Sequence, residues 1–385
     1  MTTAPPPAAQ RRRIRVVLAL AAAAIVLAAA AGAWLYLSGR APRAVEAAAL
    51  LYRLARDEVP PIVAQSVAWP SGGATYRGDL YGSRGGSRAA LLLVPGAAET
   101  GKDDPRLVAF ARDLADAGFL VLVPDLPGPK ALQVSSADIG ETADAGLYLA
   151  SLVGDGEPLG LAAISYGVGP TLLAALEPRL VKHVDFVLSL GGYYDATAVI
   201  TFFTTGFWRP APAAPWQPGR PNAYGKWVFV LANAARLDDF RDRERLAVIA
   251  RLKLANLGAD VAAFESELGP EGRAVMALLD NRDPERVPAL IAELPPRIRA
   301  EIAALDLSTK DLSPLRAQVL LVHGRDDAIV PYSESVALAH ALGPGRAHLY
   351  LLDHLSHASW AIDDLADGFR LWRAADELLA LRDRR

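Results

Sequence analysis

The stretch Leu159–Gly167 reads LGLAAISYG and places a serine directly after an apolar run. A nucleophilic serine on a sharp strand-to-helix turn needs very small residues two positions before and two positions after it, because larger side chains would clash with adjacent backbone. Ala163 and Gly167 meet this need, although the usual motif has glycine at the first of these positions. Ser165 is therefore a candidate nucleophile, and its alternative role is the N-cap of the following helix.

Further apolar runs of strand length surround this stretch, and helical patterns separate them. Strands that alternate with helices form a parallel sheet covered on both faces, in which each strand is apolar throughout. Two earlier runs joined by a Pro-Ser-Gly-Gly turn indicate an antiparallel start of this sheet. The predicted strands are 62–69, 74–81, 89–94, 119–123, 159–164, 184–190, 318–322 and 347–352, and the clearest predicted helices are 44–57, 107–117, 138–152 and 363–381.

Two segments that come after Ser165 in the chain supply a candidate acid and a candidate base. The run Val322–Pro331, VHGRDDAIVP, places Asp327 on a loop just after a predicted strand. Thirty residues later, beyond the last predicted strand, the segment 352–357 reads LDHLSH and ends at His357. The chain order serine, acid, histidine is that of the α/β-hydrolase fold.

Over about residues 62–381 the chain resembles α/β-hydrolase-fold serine hydrolases of the esterase and dienelactone-hydrolase type. The motifs that carry the resemblance are AISYG at 163–167, HGRDDAIVP at 323–331 and DHLSH at 353–357. The segment VPGAAETGKDD at 94–104 resembles the oxyanion loop of the family, with Pro95 in place of its usual histidine. The resemblance implies an α/β fold whose mostly parallel sheet is flanked by helices.

The resemblance also implies a role for each matched residue. Ser165 would attack a carbonyl carbon, His357 would accept and return the proton, and Asp327 would orient the imidazole. The backbone N–H groups of Ala97 and Tyr166 would form the oxyanion hole. No cofactor and no metal are expected.

Three residues compete for these roles. Asp326 neighbours Asp327, but the family spacing Gly-x-x-Asp-x-x-Val-Pro favours Asp327. Asp195 follows an earlier predicted strand, from which some members of the family take their acid. His354 competes with His357, and the small residue before His357 favours the latter. The two histidines also form a His-x-x-His pair, but no cluster of carboxylates or histidines elsewhere supplies obvious further metal ligands.

A long insertion, residues 195–313, separates two of the predicted parallel strands. Its apolar start is followed by a proline-rich stretch and then by helical patterns, among them 241–257 with Gly258 placed as a C-cap. Asp283 and Pro284 have the pattern of an N-cap and a first-turn proline. Because ligands bind at the C-terminal ends of the strands in such sheets, we expect this insertion to form a helical lid over the site. The alternative is a helical subdomain that only adds core or an interface.

The N-terminal part of the chain predicts a membrane anchor. Residues 16–37 are 22 residues without a charge, and a helix of that length crosses the hydrocarbon layer of a bilayer. Four arginines lie within residues 11–15, and only Arg40 and Arg43 follow the segment closely, so the positive-inside rule predicts a cytoplasmic N-terminus. The apolar segment is longer than that of a cleavable signal peptide.

Composition limits the classes of partner. The 385 residues carry a formal net charge of −3, which argues against a nucleic-acid partner, and they include no cysteine, which excludes disulfides and a cysteine nucleophile. The predicted organisation is a cytoplasmic basic tail (1–15), a transmembrane signal anchor (16–37), a linker or stalk helix (38–61), a hydrolase core in two parts (62–194 and 314–385) and, between these parts, the lid insertion (195–313).

These features together predict a serine hydrolase anchored in the cytoplasmic (inner) membrane by one span. Its catalytic domain would lie on the extracytoplasmic side and cleave a carboxylic ester, of a small molecule or a lipid, through an acyl-enzyme. An acyltransferase or an amidase would use the same triad, and a catalytically inactive binding protein would keep only the fold. The sequence leaves the substrate and the oligomeric state open.

Overall fold

The computed structural model describes residues 39–56, 60–83, 85–154, 156–353 and 365–384. Within these residues, eight strands form one sheet and two short strands form a separate pair. The strands of the large sheet are β1 (Gln65–Ser71), β2 (Ala74–Tyr81), β3 (Ala89–Val94), β4 (Phe119–Pro124), β5 (Leu159–Ile164), β6 (Phe186–Leu190), β9 (Gln318–Gly324) and β10 (Ala347–Leu352), and the short pair is β7 (Phe207–Trp208) with β8 (Gln217–Pro218).

The order of the strands in the large sheet is β1-β2-β4-β3-β5-β6-β9-β10. β2 pairs antiparallel with both β1 and β4, whereas all other neighbours in this sheet are parallel. The chain therefore has the α/β-hydrolase fold that the sequence predicts, with a mostly parallel sheet that begins with an antiparallel hairpin.

Helices cover both faces of the sheet. Because successive side chains of a strand point to opposite faces, β3 needs an apolar residue at every position, and its sequence AALLLV shows no alternation. The helices of the described residues are α1 (Ala41–Arg56), α2 (Pro105–Asp116), α3 (Pro127–Lys130), α4 (Ala137–Ala150), α5 (Val168–Leu176), α6 (Ala196–Thr205), α7 (Tyr224–Ala234), α8 (Phe240–Ala255), α9 (Ala262–Ser266), α10 (Pro270–Asp280), α11 (Val287–Glu293), α12 (Pro296–Leu305), α13 (Ser333–Leu342) and α14 (Leu365–Arg382).

Each face of the sheet has its own apolar core. On one face α1, α2 and α14 pack against side chains that include Leu91 and Leu93 of β3. On the other face α4, α5 and α13 pack against the alternate side chains, among them Leu92 and Val94. The strands that carry the site are therefore held between two helical layers.

Some predicted boundaries differ from the structure. β1 begins at Gln65 and not at 62, and β6 begins at Phe186 and not at 184. The prediction that Gly258 caps α8 is wrong. The helix ends at Ala255, and Asn256 is its C-cap in an extended conformation. The side-chain oxygen of Asn256 accepts a hydrogen bond from the Gly258 N–H at 3.0 Å, so an asparagine side chain organises this turn.

The predicted N-cap at Asp283 is confirmed. Its carboxylate accepts a hydrogen bond from the Glu285 N–H at 3.0 Å, at the start of the short 3-10 helix Pro284–Arg286. Such a bond satisfies one of the N–H groups that a helix start leaves without a partner.

The insertion is helical, as predicted, and comprises α6 to α12 together with the β7–β8 pair. It has a separate apolar core that includes Phe203, Leu246 and Leu278. It also reaches the loop after β9, where the Asn222 N–H donates to the carbonyl oxygen of Ala328 at 2.7 Å. The insertion therefore lies at the C-terminal edge of the parallel strands, and its motion as a lid stays a prediction.

The predicted basic tail and membrane span, residues 1–15 and 16–37, lie outside the described residues. Among the helices of the described ranges, none combines the length and the apolar character needed to cross a membrane. The segment predicted as a stalk forms α1 and packs on α14. The Arg43 guanidinium is 3.0 Å from the Asp376 carboxylate, and the Trp372 indole N–H donates to the carbonyl oxygen of Ala44 at 3.0 Å. Thus α1 is part of the folded core.

Candidate active site

Ser165 lies directly after β5, at the first position of the short 3-10 helix Ser165–Gly167. Its φ angle is 55°, in the left-handed region that residues other than glycine rarely adopt. Among the described non-glycine residues, only Leu132 shares a positive φ. This conformation costs roughly 1–2 kcal/mol, and such strain clusters at active sites. The backbone therefore has the sharp turn expected of a nucleophilic serine.

Close backbone packing explains the small residues on either side of Ser165. A β-carbon added at Gly167 would lie 2.7 Å from the carbonyl oxygen of Pro95, a separation that real side chains do not show. Ala163 is fully buried and is paired in register with Val94 on one side and Ser189 on the other. The turn therefore requires glycine at 167 but accepts alanine at 163.

The loop after β3, which carries the predicted oxyanion donor Ala97, packs against this turn. A β-carbon added at Gly96 would lie 3.2 Å from the carbonyl oxygen of Ile164, so the two backbones are almost in contact. Ala97 and Tyr166 line the same cavity as Ser165. The structure thus brings these three predicted residues together, and the oxyanion role of the two N–H groups stays a prediction.

The predicted acid and base follow strands that run parallel to β5. Ile164 at the end of β5 is in register with Leu190 of β6, which is in register with Val322 of β9. Leu352 at the end of β10 is in register with Gly324 of β9. The segments after β5, β6, β9 and β10 therefore leave the sheet at one edge, with about 4.8 Å between neighbouring strands.

Asp327 lies on the loop after β9 and is 7 % exposed, whereas its neighbour Asp326 is exposed. Its Oδ1 accepts hydrogen bonds from the N–H groups of Ile329, at 2.7 Å, and Val330, at 3.0 Å. These two bonds hold the carboxylate in one orientation inside the protein. The structure therefore favours Asp327 over Asp326 as the acid.

Asp195, the other rival, is the N-cap of α6. Its Oδ1 accepts hydrogen bonds from the N–H groups of Thr197 and Ala198, at 2.8 and 3.1 Å. Burial raises the pKa of this carboxyl. Because Asp195 already has a complete structural role at the helix start, it is the weaker candidate for the catalytic acid.

His323 is a buried residue of the site that sequence reasoning did not identify. Its Nδ1 is 2.7 Å from the Ser335 hydroxyl, and its Nε2 is 3.0 Å from the carbonyl oxygen of Val330 and 3.4 Å from Asp327 Oδ2. A carbonyl oxygen only accepts, so Nε2 carries a hydrogen and donates it to Val330. His323 thereby supports the acid loop. A polar ring inside the apolar run of β9 was the available signal, since buried polar groups need partners.

The predicted base His357 and its rival His354 lie outside the described residues, in the segment 354–364. The two flanks of this segment are joined. The Asp353 N–H donates to both carboxylate oxygens of Asp367, at 3.0 and 2.9 Å, and the Arg370 guanidinium donates to Asp353 and Asp367, each at 2.7 Å. Asp353, just after β10, and Asp367 of α14 are therefore held together.

A cavity of about 290 Å³ lies at Ser165, between the sheet edge and the insertion. The acid loop contributes Ile329 and Val330 to its wall, and the segment after α3 contributes Val134. The apolar residues that the insertion contributes include Val199, Ile200, Phe203, Val228, Phe229 and Ile302. The candidate nucleophile therefore faces a largely apolar space near the lower end of the usual size of small-molecule sites.

A buried carboxyl, Glu334 of α13, supports the segment after β6. Its Oε2 accepts hydrogen bonds from the N–H groups of Tyr194 and Asp195, at 3.0 and 2.7 Å. Burial raises the pKa of Glu334 to about 8, and the nearby carboxylates of Asp195 and Asp306 act in the same direction. Glu334 is therefore mostly protonated at neutral pH.

The described residues offer no obvious metal centre: no group of three or more histidine, aspartate or glutamate side chains among them is arranged to hold an ion.

No protein-family model matches the chain, and no curated protein is similar to it by sequence. Solved structures of α/β hydrolases have a similar backbone. Acylaminoacyl peptidase of Pyrococcus horikoshii is 12 % identical with a TM-score of 0.45, and the match covers 84 % of this chain and 42 % of the peptidase.

Two shorter proteins match over nearly their whole length. The alpha/beta hydrolase GrgF from Penicillium sp. sh18 is 16 % identical, with 83 % of this chain and 99 % of that chain covered and a TM-score of 0.46. The 2-hydroxy-6-oxo-6-phenylhexa-2,4-dienoate hydrolase from Rhodococcus sp. strain RHA1 is 20 % identical, with 84 % and 100 % covered and a TM-score of 0.44. At these values the comparisons carry no conclusion about function, and the catalytic interpretation depends on the residues of this chain.

Proposed function

We propose that this chain is a serine hydrolase that cleaves a carboxylic ester through an acyl-enzyme on Ser165. The observation that carries the proposal is the strained, positive-φ turn at Ser165, which opens into an apolar cavity. A buried, hydrogen-bonded carboxylate, Asp327, at the same sheet edge supports it.

The reaction has two steps. Ser165 Oγ attacks the ester carbon while His357 takes the hydroxyl proton, and His357 then gives this proton to the departing alcohol. Water deacylates the enzyme by the same route, which releases the carboxylic acid and regenerates the serine. Asp327 orients the imidazole and stabilises its charged form, and the N–H groups of Ala97 and Tyr166 stabilise the oxyanion in both steps.

Labelling with a fluorophosphonate probe tests this proposal. The full chain in detergent should be labelled and should hydrolyse p-nitrophenyl butyrate, and Ser165→Ala should lose both properties while it stays folded. Ser66→Ala, which changes an exposed serine on β1, is the matched control and should behave like the wild type. Equal labelling of wild type and Ser165→Ala would show that another residue reacts and would contradict the proposal.

We further propose that residues 16–37 anchor the enzyme in the cytoplasmic membrane, with the catalytic part on the extracytoplasmic side. The uncharged run of 22 residues and the arginines before it support this location. The full chain should remain in the membrane fraction after alkaline carbonate extraction and should be digested by protease added to spheroplasts. Protection from protease in intact spheroplasts would contradict this orientation.

A further inference from the structure

β10 is the last strand of the large sheet, so one of its two edges has no neighbouring strand among the described residues. Its other edge pairs with β9. The carbonyl oxygen of Arg346 accepts a hydrogen bond from the Val319 N–H at 2.8 Å. The carbonyl oxygen of Leu352 accepts one from the Arg325 N–H at 2.7 Å. Because the backbone groups of successive strand residues point to opposite sides, the odd-numbered residues of β10 direct theirs to the free edge.

A groove of about 430 Å³ follows this free edge. Leu349 and Leu351, whose backbone N–H and C=O groups point outward, form one wall, and the first turns of α14 with Phe369 form another. We call it the edge groove. Its described lining shares no residue with the cavity at Ser165. The edge groove therefore offers backbone donors and acceptors, of the kind that pair with an added strand, at a place separate from the candidate active site.

Three guanidinium groups line the edge groove, those of Arg325, Arg370 and Arg373, whereas no carboxylate is among its described lining residues. Arg373 is exposed, and its guanidinium lies 5.8 Å from the centre of the Tyr350 ring. Within the described ranges, no carboxylate forms an ion pair with Arg373. Its five N–H donors are therefore available to a carboxylate of a ligand.

The nearby carboxylates lie outside the lining and hold two of the arginines in place. Asp353 is 3.1 Å from Arg325 Nε and 2.7 Å from Arg370 Nη1, and Asp367 is 2.7 Å from the same Nη1. Since both ion pairs of Arg370 use this one nitrogen, its Nε and Nη2 stay available to a ligand. The carboxylates thus fix the positions of the guanidinium groups and leave several of their donors unused.

The charge of the edge groove limits which chain can occupy it. A second copy of this protein that paired its own β10 with this edge would bring the same arginines close together, and like charges that face each other across strands are destabilising. The arginines of residues 11–15 would be repelled in the same way. An extended segment with carboxylates fits both features, because its backbone pairs with the strand edge and its side chains bind guanidinium groups in bidentate geometry.

We propose that the edge groove binds an extended acidic segment of another protein, which adds to the large sheet beside β10. Its backbone pairs with that of Leu349 and Leu351, and its carboxylates pair with Arg370 and Arg373. Phe369, which is 58 % exposed, supplies an apolar contact. This interaction goes beyond the proposed hydrolase function and does not depend on it.

Fluorescence anisotropy with the full chain in detergent tests the inference. The probe is a fluorescein-labelled hexapeptide of alternating valine and glutamate, which matches the six residues of β10. It should bind with a Kd that rises with salt concentration, because exposed charges are screened. The same peptide with every backbone nitrogen methylated keeps its carboxylates but cannot donate to the strand edge, so its affinity should be at least about tenfold lower.

A pair of variants locates the binding site. Arg373→Gln removes one unpaired guanidinium from the edge groove and should raise the Kd of the valine–glutamate peptide about tenfold. Arg299→Gln, at an exposed arginine of α12, is the matched control and should bind the peptide like the wild type. Equal urea midpoints of the two variants would show that the weaker binding of Arg373→Gln does not come from a loss of folded protein.

Three results would overturn the inference. The first is no binding of the valine–glutamate peptide up to ~1 mM, or tighter binding of a valine–lysine peptide, which would favour a basic segment. The second is equal affinity of wild type and Arg373→Gln, or of the plain and the methylated peptide, since the site or the strand pairing would then be wrong. The third is a dimer in light scattering that Arg373→Gln dissociates while no peptide binds, which would assign the edge groove to a second copy.

Discussion

The left-handed φ of Ser165 predicts that a glycine at this position stabilises the protein while it removes the nucleophile. In most positions glycine destabilises a protein relative to alanine, because it loses more conformational freedom on folding. At a φ of 55° the order should reverse, since alanine keeps the strain of the serine and glycine relieves it.

The size of the effect follows from two opposing contributions. Relief of the left-handed strain is worth roughly 1–2 kcal/mol, and the entropy of the glycine backbone in the unfolded chain costs roughly 0.4–1 kcal/mol. Ser165→Gly should therefore have a free energy of unfolding about 0.5–1 kcal/mol above that of Ser165→Ala. Neither variant should react with a fluorophosphonate or hydrolyse an ester.

Urea unfolding of both variants, followed by circular dichroism, measures this difference. The matched pair is Ser66→Gly and Ser66→Ala in β1, an exposed strand position without a positive φ. Here glycine should be less stable than alanine by about 0.5–1 kcal/mol, so the two pairs should differ in sign. If glycine were the less stable residue at position 165 as well, the turn would not be strained, and the reasoning that identifies Ser165 as the nucleophile would be refuted.

Two further predictions concern buried carboxyl groups. Asp327→Asn should lower kcat by roughly 10³–10⁴ at neutral pH, as expected when the acid no longer orients the histidine, whereas Asp195→Asn should lower it less than about tenfold; steady-state kinetics with one ester compares them, and the reverse order would assign the acid to Asp195. For Glu334, a folded-state pKa of about 8 against the usual 4.5 means that the folded protein holds a proton that the unfolded chain lacks between these pH values. The free energy of unfolding should therefore fall, by at most about 1.4 kcal/mol per pH unit from this group, as the pH rises from about 5 to 8. Glu334→Gln should reduce this slope in urea titrations at several pH values, and an equal slope in the variant would show that other groups cause it.

Much of the fold could be predicted because its signals are local. β3, β5 and β10 have the predicted bounds, since each is a run of apolar residues of strand length. Where local signals compete, the predicted ends of the elements differ from those in the structure. An asparagine side chain ends α8 in place of the predicted glycine, because its oxygen satisfies the N–H of Gly258. The sequence pattern of a C-cap does not show which side chain takes this role.

The candidate site, like the fold, could be predicted from the sequence only in part. Asp326 and Asp327 are adjacent and chemically identical, and the motif spacing favours the second. Their difference in burial, however, results from the way the loop folds onto the N–H groups of Ile329 and Val330. The polar ring of His323 inside the apolar run of β9 was a signal in the sequence, but its partner Ser335, twelve residues later on α13, could not be identified from it.

The sequence by itself determined the sharp turn at Ser165, the chain order of Ser165, Asp327 and His357, and the alternation of strands and helices. Steric limits on neighbouring residues and the apolar periodicity of each element are properties of short segments, so they can be seen without the fold. Only the tertiary structure decided that α1 packs on α14, that the insertion borders Ser165, and that Glu301 and Arg236 contact Ser136 and Val134. These contacts join residues that are far apart in the chain, such as Arg43 and Asp376, 333 positions apart, or Ser136 and Glu301, 165 positions apart. They depend on the packing of the whole chain, which no short segment specifies.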